Sequence, residues 1–329
     1  MFHRSSTHAH GLVDLLGKML SPSDQLIHVV PVGRGHQGKT SVVNVIPRVL
    51  DTLQSGNRIG YDSLLKLNEA LARVRQTEQD LSRDGLPPTL ERSFRTLGLF
   101  VDEHEFQRLE LSDEIGQPFT DTTPDSSPEA LARYRNYMAA TAAADVLWLM
   151  VSLPPTPLTT SLGLFRDDLA RYECWLSETV RKREGQRPVS VAVVVTKIDT
   201  LFPSPEAVRA QFTPSWVLDD LLRSLVSVIR KGVKHGCIAR AAAIPVSAFG
   251  FGNSTALTKE PQSGARYEEY EEEYLLAKSK SLDPFNVLTL LAWSFLASVS
   301  RRREKKYQQV ARQLETDLSA CGDWWLPIS

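Results

Sequence analysis

The stretch Gly33–Thr40 (GRGHQGKT) has the residue types and spacing of a loop that wraps around phosphate groups. The pattern Gly-x4-Gly-Lys-Thr follows an apolar run and precedes a helical pattern, which is the setting that such a loop requires. Its glycines let the backbone curve closely and direct N–H groups at phosphate oxygens. We expect Lys39 to reach the β and γ phosphates of a nucleoside triphosphate and the Thr40 hydroxyl to bind Mg²⁺. The predicted nucleotide-binding residues of this loop are Gly33, Gly35, His36, Gln37, Gly38, Lys39, Thr40 and Ser41.

A second short pattern, Asp113–Gly116 (DEIG), follows an alternating run of apolar and polar residues. An acid at the tip of a strand beside a phosphate loop can hold Mg²⁺ through water, so Asp113 is a predicted metal ligand. The backbone N–H of Gly116 can meet the γ-phosphate. A surface turn is the alternative interpretation of so short a pattern.

Two later patterns predict recognition of a purine base. In TKID, the Asp199 carboxylate can accept two hydrogen bonds from the N1 and N2 groups of guanine, a donor pair that adenine lacks, and the stem of Lys197 can lie over the base. A helix N-cap at Asp199 is the alternative. In the pair Ser247 and Ala248, the Ala248 N–H can meet the guanine carbonyl oxygen, and a polar turn is the alternative. With Thr196, these complete the predicted base-binding set.

The elements that must position these patterns are strands separated by helices. Two nearly continuous apolar runs indicate strands covered on both faces. The predicted strands are Leu26–Val32, Phe94–Val101, Gln107–Leu111, Val146–Ser152, Val189–Val195 and Ala243–Val246. The predicted helices are Thr40–Leu53, Asp62–Glu78, Pro128–Ala142, Leu164–Arg183, Pro205–Lys234 and Pro284–Leu318. This alternation predicts a doubly wound α/β sheet, in which ligand sites collect at the C-terminal ends of strands.

The ordered patterns resemble those of the P-loop GTPase superfamily, in particular the TRAFAC class that contains the Ras-like proteins, over Asp24–Phe251. The resemblance implies a Ras-like α/β fold with a mostly parallel central sheet flanked by helices. It also implies binding of GTP and GDP, dependence on Mg²⁺, and a hydrolytic on/off cycle. Thr196 stands where asparagine is commoner. In its long insertion and the stretch Leu86–Thr89 (LPPT), the chain is similar to bacterial double-GTPase proteins of conflict systems.

The resemblance also assigns catalytic roles. Thr89, ahead of the second predicted strand, is the candidate for capping Mg²⁺ and the γ-phosphate, and Thr96 is the alternative. Gln117 directly follows Gly116, where Ras-like enzymes place the glutamine that orients the attacking water. The predicted catalytic set is therefore Gln117, Lys39 and Thr89, and the predicted metal ligands are Thr40, Thr89 and Asp113.

Organisation and composition set the remaining expectations. We predict an N-terminal segment at 1–23, a GTPase domain at 24–300 with a helical insertion at about 54–85, and a C-terminal helical extension at 301–329. The 38 basic and 39 acidic residues nearly cancel, which gives no strong signal for nucleic acid or a membrane surface. The three scattered cysteines suit the reducing cytoplasm and indicate no disulfide framework or zinc site.

Three functions fit these features. The first is a GTP-hydrolysing molecular switch whose partner is an effector, an activating protein or a second GTPase. The second is a non-hydrolysing GTP-binding scaffold or assembly subunit. The third is an ATPase or kinase of the other P-loop branch, which would show no purine selectivity through Asp199.

Overall fold

The computed structural model describes a central sheet and helices that pack on it. The residues it describes are 26–33, 37–39, 41–43, 45–46, 59–63, 93–101, 104–113, 135, 138–152, 159–183, 185, 187–251, 254–255, 275–276, 284–300, 308, 312, 315 and 325–329.

Eight strands form one sheet in the order β10-β7-β6-β5-β1-β4-β3-β2. The inner strands β7, β6, β5, β1 and β4 are mutually parallel, whereas β10, β3 and β2 each pair antiparallel with their neighbour. A short antiparallel pair, β8 with β9, lies apart from this sheet. The strands are β1 (Leu26–Val32), β2 (Ile59–Ser63), β3 (Ser93–Val101), β4 (His104–Asp113), β5 (Val146–Ser152), β6 (Val189–Thr196), β7 (Ile238–Pro245), β8 (Ser254–Thr255), β9 (Leu275–Leu276) and β10 (Leu326–Pro327).

Helices flank the sheet, so the fold is α/β with a mostly parallel sheet, as predicted. Helical backbone also occurs at 39, 41–43 and 45–46, and at 135 and 138–143. Among the described residues, no helix combines the length and the apolar character needed to cross a membrane. The remaining helical elements are α1 (Thr159–Lys182), a 3-10 turn (Ile198–Thr200), α2 (Pro205–Gln211), a π-helical segment (Ser215–Leu221), α3 (Arg223–Lys234) and α4 (Val287–Ser300).

The apolar strands are buried on both faces because successive side chains point into two different cores. In β5, Trp148 and Met150 belong to the core that includes α4, whereas Leu147 and Leu149 belong to the core that includes α1 and α3. The one polar group of the Trp148 indole is satisfied, since its Nε1 donates to Ser294 Oγ of α4 at 2.8 Å. This sandwich explains why β5 and β6 read as continuous apolar runs.

One edge of the sheet is covered by a segment distant in sequence. β10 pairs with β7 through Leu326 and Ala243, and the Ile328 N–H donates to the Ala241 carbonyl oxygen at 2.9 Å. Leu326 and Ile328 are both buried. The segment therefore supplies hydrogen bonds that β7 would otherwise lack on this side.

The long predicted helix Pro205–Lys234 is wrong as a single element. The chain instead forms α2, a π-helical segment and α3, with non-helical backbone at 212–213. Pro214 is the physical cause, because it disfavours helical backbone at the preceding residue and lacks an N–H donor. Trp216 packs edge-on against Phe202 at this break, with ring centroids 5.9 Å apart.

The predicted helical insertion at about 54–85 is also wrong for its described part. Ile59–Ser63 forms β2, which pairs antiparallel with β3, so the predicted helix Asp62–Glu78 cannot begin at Asp62. Gly60 disfavours helix, and Ile59 and Tyr61 are residue types that favour a pleated strand. The rest of the insertion lies outside the described residues.

Candidate functional site

The C-terminal ends of the parallel strands bring the predicted patterns to one edge of the sheet. The phosphate loop follows β1, Asp113 ends β4, Thr196 ends β6, and Ser247 follows β7. The strand order reverses at β1, because β4 lies on one side of it and β5 on the other. In open α/β sheets, ligands bind outside the strand ends at such a reversal. The order of the strands therefore determines that these patterns lie at one edge of the sheet.

Two glycines are required by the shape of the loop. A Cβ on Gly33 would lie 2.6 Å from the end of the Gln37 side-chain amide and 2.9 Å from the Tyr172 hydroxyl oxygen, so a side chain there would force these two groups to move. Gly38 has a φ of 78°, which favours glycine. The Val42 N–H donates to the Gly38 carbonyl oxygen at 2.9 Å, so the helix begins directly after the loop. The positive end of that helix therefore points toward the loop.

Lys39 is a cation within the loop. Its Nζ donates to the carbonyl oxygen of Gly33 at 2.9 Å, and the residue is buried. A buried ammonium bound to a backbone carbonyl across the loop is held where an anion would meet both it and the N–H groups of the helix start. Ser41 is helical and half-buried. This arrangement fits a bound phosphate group.

The side chain of Gln37 points into the protein. It is 2% exposed and contacts the hydroxyl of Tyr172 on α1, which also lies 2.5 Å from the carbonyl oxygen of Met150. Gln37 was predicted to bind nucleotide, and this placement leaves its backbone as the part of the residue that can face a phosphate. The bulk of a glutamine is accommodated because Gly33 has no side chain.

Thr196 joins the end of β6 to the phosphate loop. Its hydroxyl donates to the Gln37 carbonyl oxygen at 3.0 Å and lies 3.4 Å from the carbonyl oxygen of Val151. Because the hydroxyl has one proton and the Gln37 contact is shorter, we take Gln37 as its acceptor. Thr196 is buried, so this hydrogen bond is shielded from water. Thr196 therefore acts on the loop rather than directly on a base.

The residues that follow β6 turn sharply. Lys197 has a φ of 55°, in the left-handed region, and precedes the 3-10 turn that contains Asp199. The Thr200 hydroxyl and N–H both donate to the Lys197 carbonyl oxygen, at 2.8 and 3.0 Å. Lys197 and Asp199 are half-buried, whereas Ile198 between them is buried in the core. The turn thus anchors Ile198 and leaves both charged side chains accessible.

The turn after β7 is organised by Ser247. Its Oγ accepts hydrogen bonds from the N–H groups of Phe249 and Gly250, at 3.3 and 2.9 Å. Its backbone exchanges two hydrogen bonds with Phe285. The Ser247 side chain is fully buried, so it shapes the turn that carries Ala248 rather than meeting a ligand itself.

Two contacts that support the loop and the turn after β7 are not predicted from the sequence. The Tyr172 hydroxyl contacts the side chain of Gln37. Asn286 donates through Nδ2 to the Pro245 carbonyl oxygen at 2.9 Å. Tyr172 sits on the apolar stripe of α1 with Leu169 and Leu176, where a buried hydroxyl signals a required partner. Residue type alone carries this signal but does not show which partner the hydroxyl has, because α1 lies far from the loop in the sequence.

Several predicted residues lie outside the described residues, so their contacts stay predictions: Gly35, His36, Thr40, Thr89, Gly116 and Gln117. For Asp113, the structure describes the backbone at the end of β4 but not the side chain. Within the described ranges, no cluster of histidine, cysteine, aspartate and glutamate has the arrangement of a metal site. Thr40 and Thr89 lie outside the described residues and the Asp113 side chain is not described, so the three predicted Mg²⁺ ligands stay predictions.

Comparison of the chain with models of protein families and with curated proteins finds no match. The geometry of the described residues is therefore the basis for any assignment of function.

Replacing Thr196 with valine is expected to loosen the phosphate loop. The change keeps the side-chain shape but leaves the buried Gln37 carbonyl oxygen without this donor. We expect a loss of about 1–2 kcal/mol in the free energy of unfolding. Guanine-nucleotide affinity should fall about 10-fold by the same reasoning. Urea denaturation measures the free energy of unfolding, and titration with a fluorescent guanine nucleotide measures the affinity. Thr196→Ser, which keeps the donor, is the control, and equal affinities for the two variants would contradict the role.

Proposed function

We propose that this protein binds GTP with Mg²⁺ and hydrolyses it to GDP and phosphate, as a molecular switch with a Ras-like fold. The observation that carries the proposal is the hydrogen bond from Thr196 to the Gln37 carbonyl oxygen. It ties the segment that would read the base to the loop that would hold the phosphates. A nucleotide that spans the two segments would therefore meet one rigid unit.

The topology supports the same proposal. The phosphate loop, Asp113, the turn with Asp199 and the turn with Ala248 follow four of the five parallel strands. An antiparallel strand, β3, lies beside β4 at the outer side of the parallel strands. This arrangement is compatible with a Ras-like sheet.

The chemistry assigns each group a role. Water attacks the γ-phosphorus, the bond from that phosphorus to the oxygen bridging it to the β-phosphate breaks, and GDP leaves with that oxygen. Lys39, whose ammonium now binds the Gly33 carbonyl oxygen, would turn to the β and γ phosphates. Mg²⁺, when bound, offsets charge on the phosphates. Thr40 and Asp113 are the residues proposed to hold it, with Thr89 added when GTP is present.

Base selection rests on Asp199 and Ala248. The half-buried Asp199 lies after a left-handed residue that redirects the chain away from β6. A carboxylate there would accept both donors of the guanine edge, and the Ala248 N–H would meet the guanine carbonyl oxygen. Ser247 supports the second contact by fixing the turn.

Two measurements test the proposed function. GTP and ATP are allowed to compete for a fluorescent guanine nucleotide, and phosphate release is followed with GTP and Mg²⁺. We expect GTP to compete far better than ATP and phosphate to be released above a Lys39→Ala control. Equal competition would indicate the ATPase or kinase branch. If GTP binds tightly and in a stoichiometric amount but no phosphate is released, the result would indicate a non-hydrolysing scaffold.

Replacing Gln117 with alanine is expected to slow hydrolysis while GTP binding stays unchanged. A glutamine at this position would orient the attacking water, and its loss removes that orientation without removing a contact to GTP. We expect a decrease of about 10- to 100-fold in single-turnover phosphate release. Glu114→Gln is the matched variant, because Glu114 lies three residues before Gln117 and its carboxylate is a second candidate for placing the water. Hydrolysis at the parent rate by Gln117→Ala would exclude the role.

A further inference from the structure

Tyr172 is a fully buried tyrosine on α1 whose hydroxyl reaches the phosphate loop. Its ring is part of the apolar core beneath β1 and β5. The hydroxyl contacts the side-chain amide of Gln37 and the carbonyl oxygen of Met150. Packing alone would need a phenylalanine here, so the hydroxyl needs its own explanation.

The number of protons fixes the direction of these bonds. A tyrosine hydroxyl has one proton, and the Met150 carbonyl oxygen is an acceptor with no proton to give. If the Gln37 oxygen also faced the hydroxyl, two acceptors would compete for that proton. Turning the amide by half a rotation places its NH₂ group toward Tyr172, and this choice is set by the hydrogen-bond network. Gln37 then donates to Tyr172, and Tyr172 donates to Met150.

This chain of bonds holds the loop from one side while Thr196 holds it from another. Thr196 donates to the backbone carbonyl oxygen of Gln37. The Tyr172 hydroxyl accepts from the side-chain amide of Gln37. Gly33 closes the arrangement, because a Cβ there would lie 2.9 Å from the Tyr172 oxygen. Gln37 immediately precedes Gly38 and Lys39, whose N–H groups begin the helix. Fixing Gln37 at two points therefore fixes the direction of these groups.

We propose that Tyr172 is a positioning residue that holds the phosphate loop in its binding shape through the side chain of Gln37. Its effect on nucleotide binding rests on the proposed function, whereas its effect on the loop does not. Tyr172 reaches no ligand in this role. It acts from the far side of the loop, through a residue whose backbone faces the site.

The test compares Tyr172→Phe, Gln37→Leu and the double variant. Amide hydrogen exchange of the peptide that covers residues 33–40 is measured first, in protein stripped of nucleotide with a chelator. Both single variants are expected to exchange about 10-fold faster than the parent, because each loses the same buried hydrogen bond. The double variant is expected to exchange no faster than Tyr172→Phe, because the hydrogen bond between Gln37 and Tyr172 can be lost only once.

Affinity for a fluorescent guanine nucleotide is measured next, and we expect it to fall about 10-fold in Tyr172→Phe. Thr179→Val is the matched control, because Thr179 is a buried residue of the same helix whose hydroxyl has no hydrogen-bond partner within the described part of the chain. It should leave exchange and affinity unchanged. Circular dichroism of all variants shows whether each one is folded.

The outcomes separate the two proposals. Parent-like exchange in Tyr172→Phe, equal acceleration in Thr179→Val, or faster exchange with unchanged affinity would each overturn the positioning role. If the parent itself binds no guanine nucleotide, the proposed function fails, and the exchange rates still decide whether Tyr172 holds the loop.

Discussion

Replacing Lys39 with alanine is expected to lower the affinity for GTP about 100- to 1000-fold. In the structure the ammonium binds the Gly33 carbonyl oxygen, so it is a positive charge held within the loop that is proposed to bind the phosphates. Losing charge-assisted hydrogen bonds to two phosphate groups costs roughly 3–4 kcal/mol, which gives that range. Titration with a fluorescent GTP analogue in the presence of Mg²⁺ measures the effect.

Lys231→Ala is the control for this change, because Lys231 is an exposed lysine on α3. It removes the same charge and should leave affinity unaltered. Lys39→Arg is a second variant that keeps the charge, but its planar group does not replace a compact ammonium in a closed loop. Parent-like GTP affinity in Lys39→Ala would mean that the loop does not bind phosphate in the proposed way.

Replacing Asp199 with asparagine is expected to change the base preference of the protein from guanine to xanthine. A carboxylate accepts both N1–H and N2–H of guanine, whereas an amide offers one acceptor and one donor. Xanthine presents N1–H and a carbonyl oxygen at the matching positions. We expect GTP affinity to fall about 100-fold, because the hydrogen bond from N2–H is replaced by two facing donors. We expect XTP affinity to rise by a similar factor, because two facing acceptors are replaced by a hydrogen bond.

Competition of GTP and XTP for the same fluorescent analogue measures this exchange. Asp219→Asn is the matched control, because Asp219 is an exposed aspartate of the π-helical segment. If Asp199→Asn weakens GTP without improving XTP, the carboxylate supports the turn instead of reading the base. That result would leave phosphate binding intact and remove guanine selectivity from the proposal.

The strands were predictable where the sequence was most apolar. Leu26–Val32 and Val146–Ser152 match β1 and β5 at both ends, and Val189–Val195 falls one residue short of β6. Strands buried on both faces leave a continuous apolar signal with clear limits. The order of patterns along the chain then predicted which strand ends would carry the site, because the C-terminal ends of parallel strands meet at one edge.

Other features depend on contacts that a linear pattern does not contain. The apolar spacing of Pro205–Lys234 continues through Pro214, although the helical backbone is interrupted just before this proline. Ile59–Ser63 becomes a strand because β3 is available to pair with it. The partners of Gln37 lie far along the chain, at Tyr172 and Thr196, and its inward direction follows from how α1 packs. Residue type predicted the loop, and tertiary packing determines that the Gln37 side chain points into the protein.

The pairing of β10 with β7 has a consequence for how the protein is made. Chains emerge from the ribosome N-terminus first, at about 5–20 residues per second. The loop, Thr196 and Ser247 are all synthesised before Leu326, so the proposed nucleotide site can assemble while β7 lacks its β10 partner. During that interval the alanine-rich β7 has unpaired backbone N–H and C=O groups on that side, which is the feature through which edge strands pair with other chains. A nucleotide that binds the unfinished sheet would stabilise it until Leu326 and Ile328 arrive.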